Sequence, residues 1–227
     1  MLELWKLIIL YNYSQMSLIL SLDLKNIEKA NYIISQTHQY LSFIKIGHVA
    51  LSNLDVSKLN TFDIPIMLDL KFFDITSTVE KAILGYSTKI ENLKIFTISA
   101  ACQDETIKMS LKSSFKPFFV LHLSSDIVDI DKSKIIKRLE EIINLGGQNF
   151  ICPPFLIKDF RENFKDKINL ATPGVRNDHV NDDHSSTVSA SKAKELRTNH
   201  IIVGRPIYNS NEPKNIAKEY YEQFIST

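Results

Sequence analysis

Within "MLDLKFFDIT", residues 67 to 76, two acids and a lysine interrupt an otherwise apolar run: Asp69, Lys71 and Asp74. Isolated charges are costly to bury, so a fold keeps them in such a run where they are paired, solvated or used. Asp69 and Lys71 are two apart and share a face on a strand, while Asp74 falls in the turn that follows. Asp23 ends an earlier apolar run, "SLILSLDL", and Lys45 lies near the end of "SFIKIG". Set side by side at one end of a sheet, these residues form a row in which acid and base alternate. Each lysine then has anionic neighbours that favour its ammonium form. That disfavours a Schiff-base lysine, which reacts as the neutral amine, and favours a cationic proton donor.

Positioning such a row requires strands that end together. From Ser17 onward, short apolar runs recur at 18–22, 42–46, 64–70, 93–98, 118–123, 149–153, 168–172 and 200–204. Between them lie amphipathic stretches with apolar residues at three-to-four spacing, among them "NIEKANYIISQTHQYL", "TSTVEKAILGYSTKI" and "KSKIIKRLEEIINLG". Continuous apolar strands imply a parallel sheet covered on both faces, and about eight βα units in roughly 210 residues fit an α/β chain folded as a single-domain (β/α)8 TIM barrel. An open doubly wound sheet is the competitor, but no GxGxxG follows the first run and only 6 glycines are present. No Pro/Gly/Ser-rich linker or internal repeat divides the chain.

A barrel places its site at the C-terminal ends of its strands. Asp23, Lys45, Asp69, Lys71 and Asp74 all fall there. So do the Gly174–Arg176 turn after the seventh run and Gly204-Arg205 after the eighth.

Composition narrows the function further. With 27 basic and 26 acidic residues the formal net charge is +1, which offers no general attraction to nucleic acid or to an anionic membrane. The two cysteines, Cys102 and Cys152, are far apart and the six histidines scattered, with no metal-ligand spacing, so no metal site is assigned and a reducing, cytoplasmic setting is expected. The apolar N-terminal stretch "LWKLIILY" is interrupted by Lys6 and is too short to span a bilayer. No small-residue cleavage site follows it, so a secretory signal is not expected. Residues 1–15 read as an extension, or as the product of an upstream start, ahead of a domain at 16–227.

Taken together, "SLDL", "FIKIG", "DLKFFDITST", "ATPGVR" and "HIIVGRPIY" resemble, in order, the signature segments of the orotidine 5'-phosphate decarboxylase family, from about Ser17 to the C-terminal helix. The resemblance implies a homodimeric barrel that converts orotidine 5'-phosphate to UMP and CO2 in de novo pyrimidine synthesis, without metal or organic cofactor. It implies that Asp69 faces the substrate carboxylate, that Lys71 protonates C6, and that Lys45 and Asp74 complete the charged network. Asp74 and Thr78 would cross the dimer interface. Asp23 would bind ribose, Ser124 the base, and Arg176, Gly204 and Arg205 the phosphate.

Departures from the pattern sit around the lid. Phe73 stands where the bacterial pattern usually has His, "DITST" replaces "DIPNT", and His184 stands where a Gln commonly bridges base and phosphate. His184 therefore reads either as a substrate contact or as a solvated loop residue. His48 and His122 read as core or rim packing, and Cys152 as part of the barrel wall. Two other functions share these features. A metal-dependent sugar-phosphate decarboxylase or aldolase of the same superfamily would keep Asp23, Asp69 and Lys71. A non-catalytic phosphoribosyl-binding barrel would keep the phosphate turns and dispense with the lysine.

Overall fold

The computed structural model describes residues 16–55, 58, 64–122, 131–177 and 187–225. Eight parallel strands close into one barrel in chain order, β1 (Ser17–Ser21), β2 (Phe43–Gly47), β3 (Ile66–Phe72), β4 (Leu93–Ser99), β5 (Lys116–Val120), β6 (Asn149–Ile151), β7 (Asn169–Thr172) and β8 (His200–Val203). The ring closes by pairing of β1 with β8, Leu20 opposite Val203. Among the described residues, the α-helices between the strands are α1 (Ile27–Thr37), α2 (His48–Asn53), α3 (Thr76–Ser87), α4 (Asp104–Leu111), α5 (Lys132–Asn144), α6 (Ile157–Phe164) and α7 (Ala190–Glu195), and α8 (Arg205–Tyr208) and α9 (Pro213–Phe224) follow β8.

Strand alternation divides the core in two. One face of each strand points inward, and Ile19, Phe43, Met67, Ile95, Phe118, Val120, Ile151, Ala171 and Ile202 fill the barrel as one apolar plug. The other face packs beneath the helices in a larger cluster that includes Leu18, Leu20, Ile44, Leu68, Phe96 and Phe119. Burial on both faces explains why the strands read as unbroken apolar runs.

Strand limits move by a few residues from those expected. The largest shift is in β5, expected at 118–123 and found at Lys116–Val120. The strand starts two residues before the apolar run, taking in Lys116 and Pro117 opposite Ile95 and Phe96 of β4. The first helix turns 3₁₀ at His38–Tyr40 after Thr37 bonds back to the Ile33 carbonyl at 2.8 Å. Helix starts follow capping rules: Asn26 accepts from Lys29 N at 2.7 Å, and Asp131 from Ser133 N at 3.1 Å.

Candidate active site

Extending the inward alternation by one step on each strand leads from the apolar plug to a polar layer. Ile19 gives way to Ser21, Phe43 to Lys45, Met67 to Asp69 and Ile95 to Thr97, all at the C-terminal end of the barrel. A cavity of about 380 Å³ opens over this layer. Its polar lining includes Asp23, Lys45, Asp69, Lys71, Arg176 and Arg205, drawn from the ends of β1, β2, β3, β7 and β8.

The charges are tightly joined. Asp69 Oδ2 accepts from Lys45 Nζ at 2.7 Å and Asp69 Oδ1 from Lys71 Nζ at 2.9 Å. The Thr97 hydroxyl donates to Oδ1 at 2.8 Å. Burial works against the Asp69 carboxylate, but the two ammonium groups outweigh it and hold the carboxyl well below the usual range. The side chains of Asp69 and Lys45 are 12% and 11% exposed, whereas that of Lys71 is 37% exposed. Lys71 is thus the cation with room to reach a ligand, and Lys45 the one that fixes the carboxylate between them.

Lys71 also departs from regular strand geometry. Its φ is +50°, in the left-handed region that costs a side-chain-bearing residue about 1–2 kcal/mol, and the pairing with β4 shifts register between Leu68 and Phe72. The bulge turns the lysine into the cavity beside Asp69, so simple period-two placement on one strand face is not the whole reason that they meet.

Across the barrel from β3, the ends of β7 and β8 supply the guanidinium groups. Arg176 donates from Nη1 to the Val175 carbonyl at 2.9 Å. Gly174, at φ +73°, makes the turn before it. Gly204 follows β8 so closely on β1 that a Cβ there would lie 3.2 Å from the Ser21 carbonyl oxygen. Asp23 accepts from the Ser21 hydroxyl at 3.0 Å and lines the same cavity. Tyr208 lines it too, its phenol pushed up by burial and by the Asp23 carboxylate.

Of the residues singled out in the sequence, Asp23, Lys45, Asp69, Lys71, Arg176, Gly204 and Arg205 come together in this cavity. Asp74 and Thr78 do not. Both are exposed, and Asp74 Oδ1 accepts only from the neighbouring Ile75 N, at 2.7 Å, among the bonds described. Ser124 and His184 lie outside the described residues.

Polar residues at the site that the sequence reading did not place there include Tyr208, His122 and Thr97. His122, expected as packing, lines the cavity, with its ring edge-on to Phe155 at 6.0 Å. Thr97 is buried beneath the carboxylate. Both lie two positions beyond an inward apolar residue, His122 after Val120 and Thr97 after Ile95, so the alternation itself was the usable signal. His48 is exposed at the start of α2, and Cys152 is buried, its thiol pushed up by burial. Among the described residues no three His, Cys, Asp or Glu side chains gather as a metal site, and no helix is long and apolar enough to cross a membrane.

A family model described as Orotidine 5'-phosphate decarboxylase / HUMPS family matches residues 16–220. Among curated relatives, the orotidine 5'-phosphate decarboxylase of Thermotoga maritima is 30% identical over 185 residues, covering 79% of this chain and 87% of that protein. The enzyme of the same name from Lactobacillus acidophilus is 28% identical over 233 residues, covering 91% and 97%. Solved structures of these two match with TM-scores of 0.71 and 0.75 at 26% and 24% identity. They cover 90% and 92% of this chain and 98% and 99% of theirs.

Proposed function

Because the chain belongs to the orotidine 5'-phosphate decarboxylase / HUMPS family, we propose that its cavity carries out the decarboxylation named in its relatives, orotidine 5'-phosphate to UMP and CO2 in pyrimidine biosynthesis. One observation carries this reading: the Lys45–Asp69–Lys71 row at the end of β2 and β3 shares a cavity with Arg176 and Arg205 on the far side of the barrel. A nucleotide with its phosphate at the arginines and its sugar over Asp23 and Lys45 brings the reacting carbon to Lys71.

The chemistry follows from charge. As the C6–carboxyl bond breaks, its electron pair stays on C6 in an sp2 orbital that no adjacent carbonyl delocalises. A cation already in place stabilises that charge without reorganisation, and Lys71 is placed to do so and then to deliver its proton to C6. The neutral amine recovers a proton from solvent. Asp69 faces the substrate carboxylate with like charge, a repulsion relieved as CO2 departs. Val120 and Ile151 line the same cavity and suit neutral CO2 better than the carboxylate it comes from. Phosphate binding, remote from the breaking bond, fixes orientation and so lowers the barrier.

The chain acts as a homodimer in which Asp74 and Thr78 enter the neighbouring subunit's cavity. Support comes from their exposure here, away from their own cavity, and from the apolar flanks of Asp74: Phe73 is 68% exposed and Ile75 65%. Large apolar side chains around an exposed acid suit a face covered by a second subunit. The setting is cytoplasmic, in keeping with two unpaired buried cysteines.

Following the ultraviolet absorbance of orotidine 5'-phosphate, with and without EDTA, tests the function. Turnover that survives chelation is expected. Loss in EDTA and recovery with Mg2+ would move the activity to a metal-dependent sugar-phosphate reaction.

A further inference from the structure

Thr97 is fully buried, lies outside the cavity lining, and touches both groups on which the chemistry depends. Its hydroxyl oxygen accepts the backbone N–H of Lys71 at 2.8 Å. A hydroxyl has one proton, and this one is directed to Asp69 Oδ1, also at 2.8 Å. The same Oδ1 accepts from Lys71 Nζ at 2.9 Å. Three hydrogen bonds therefore form a closed ring that leaves the lysine through its backbone and returns through its side chain. The ring encloses the residue held at φ +50°, and left-handed backbone in a side-chain-bearing residue persists where its surroundings determine it.

We propose that Thr97 is a positioning residue: its hydroxyl holds the left-handed backbone of Lys71 and the rotation of the Asp69 carboxylate in register, so that the ammonium group meets the carbon that loses CO2. Among the hydrogen bonds of the described residues, Thr97 is the side chain that joins the Lys71 backbone to the Asp69 carboxylate. Lys45 holds Asp69 from the opposite oxygen, and the Lys71 backbone N–H goes to Thr97. Without the hydroxyl, Asp69 keeps both lysines and can turn about its side-chain bond, while the Lys71 amide loses its acceptor. The charges would remain present but out of alignment. Decarboxylation should then suffer more than binding, because alignment with C6 matters as the carbanion forms, whereas the phosphate grip lies on β7 and β8.

The inference rests on the proposed decarboxylation, and the test separates the two. Wild type, Thr97→Val, Thr97→Ala and Thr97→Ser are compared for kcat and KM with orotidine 5'-phosphate, inhibition by UMP, and thermal unfolding. Val keeps the side-chain shape and Ala removes any risk of crowding, so at least one folded variant lacking the hydroxyl is obtained. Val and Ala should lower kcat by roughly 10- to 100-fold, the scale of a small misplacement of a catalytic group. Their UMP inhibition constants should stay within about two-fold of wild type, and Ser should restore kcat to within about three-fold. A folded Val or Ala variant with wild-type kcat would overturn the proposal, as would Ser failing to rescue, or UMP binding weakening as much as kcat. An inactive wild type would refute the decarboxylase reading itself.

Discussion

A subunit-mixing experiment tests the shared site most directly. Lys71 lines the cavity of its own chain, while Asp74 is exposed and turned to its own backbone. If two-fold symmetry delivers Asp74 to the partner's cavity, a Lys71→Ala homodimer has two sites without the proton donor, and an Asp74→Ala homodimer has two sites without the partner acid. A heterodimer is different. One of its sites collects both defects, and the other has the wild-type Lys71 of one chain facing the wild-type Asp74 of its neighbour. At equal amounts, random exchange makes about half of the dimers mixed, so about a quarter of all sites are restored. The assay is decarboxylation by each variant alone and by their mixture, with subunit exchange followed by a mass tag. Recovery toward a quarter of wild-type activity per site is expected, well above either parent. A fully exchanged mixture no more active than the mean of its parents would refute the reasoning, because Asp74 would then be serving its own chain.

Lys71→Ala should abolish turnover while changing UMP binding far less, checked by kinetics and calorimetry; substantial residual turnover would remove its role as donor. Arg205→Ala should weaken UMP and orotidine 5'-phosphate alike and leave uridine unaffected, as read by competition. His200, buried at the N-terminal end of β8 against the Ser17 hydroxyl at 2.6 Å, is held down to about 4 by burial and by the nearby Lys116. Below pH 6.5 the unfolded chain takes up a proton that the fold refuses, so stability falls as pH drops toward 4, by on the order of 3 kcal/mol. Urea unfolding of His200→Asn should lack that portion of the slope. The depressed carboxyl of Asp69 acts at lower pH: its contribution is complete above about pH 4 and shrinks as acid is added below it, so wild type and Asp69→Asn should converge in stability on acidification.

Much of this architecture is legible because a strand buried on both faces must be apolar throughout, and eight such runs leave few alternatives to a closed ring. The acids and bases stand out for the complementary reason. Asp23, Lys45, Asp69 and Lys71 interrupt or end those runs, and an interruption by charge requires a function or a partner. Thr97 carried no such mark. Threonine is an ordinary strand residue, and its importance comes from register, which places it level with Asp69 through the pairing of Leu68 with Phe96. The left-handed turn at Lys71 was equally hidden, since a lysine in an apolar run gives no sign of positive φ. His122 does pack at the rim, against Phe155, and lines the cavity as well, a second role that one step of alternation beyond Val120 decides.

The pairing of β1 with β8 brings the first and last strands of the barrel together beside the cavity lined by Asp23 and Arg205. Asp23 is made with the first strand and Arg205 directly after the eighth, so a nascent chain lacks the complete cavity until that eighth strand emerges and closes the ring. A nucleotide bound as proposed, spanning both residues, would lie across that closing seam and would bind the folded ring in preference to the opened one. Its presence would then favour closure by mass action and oppose unfolding that begins by release of β8. With a nucleotide bound as proposed, the product or substrate pool would act as a late folding aid for newly made chains, and a chain cut short before Gly204 would lack the closing seam on which that help depends.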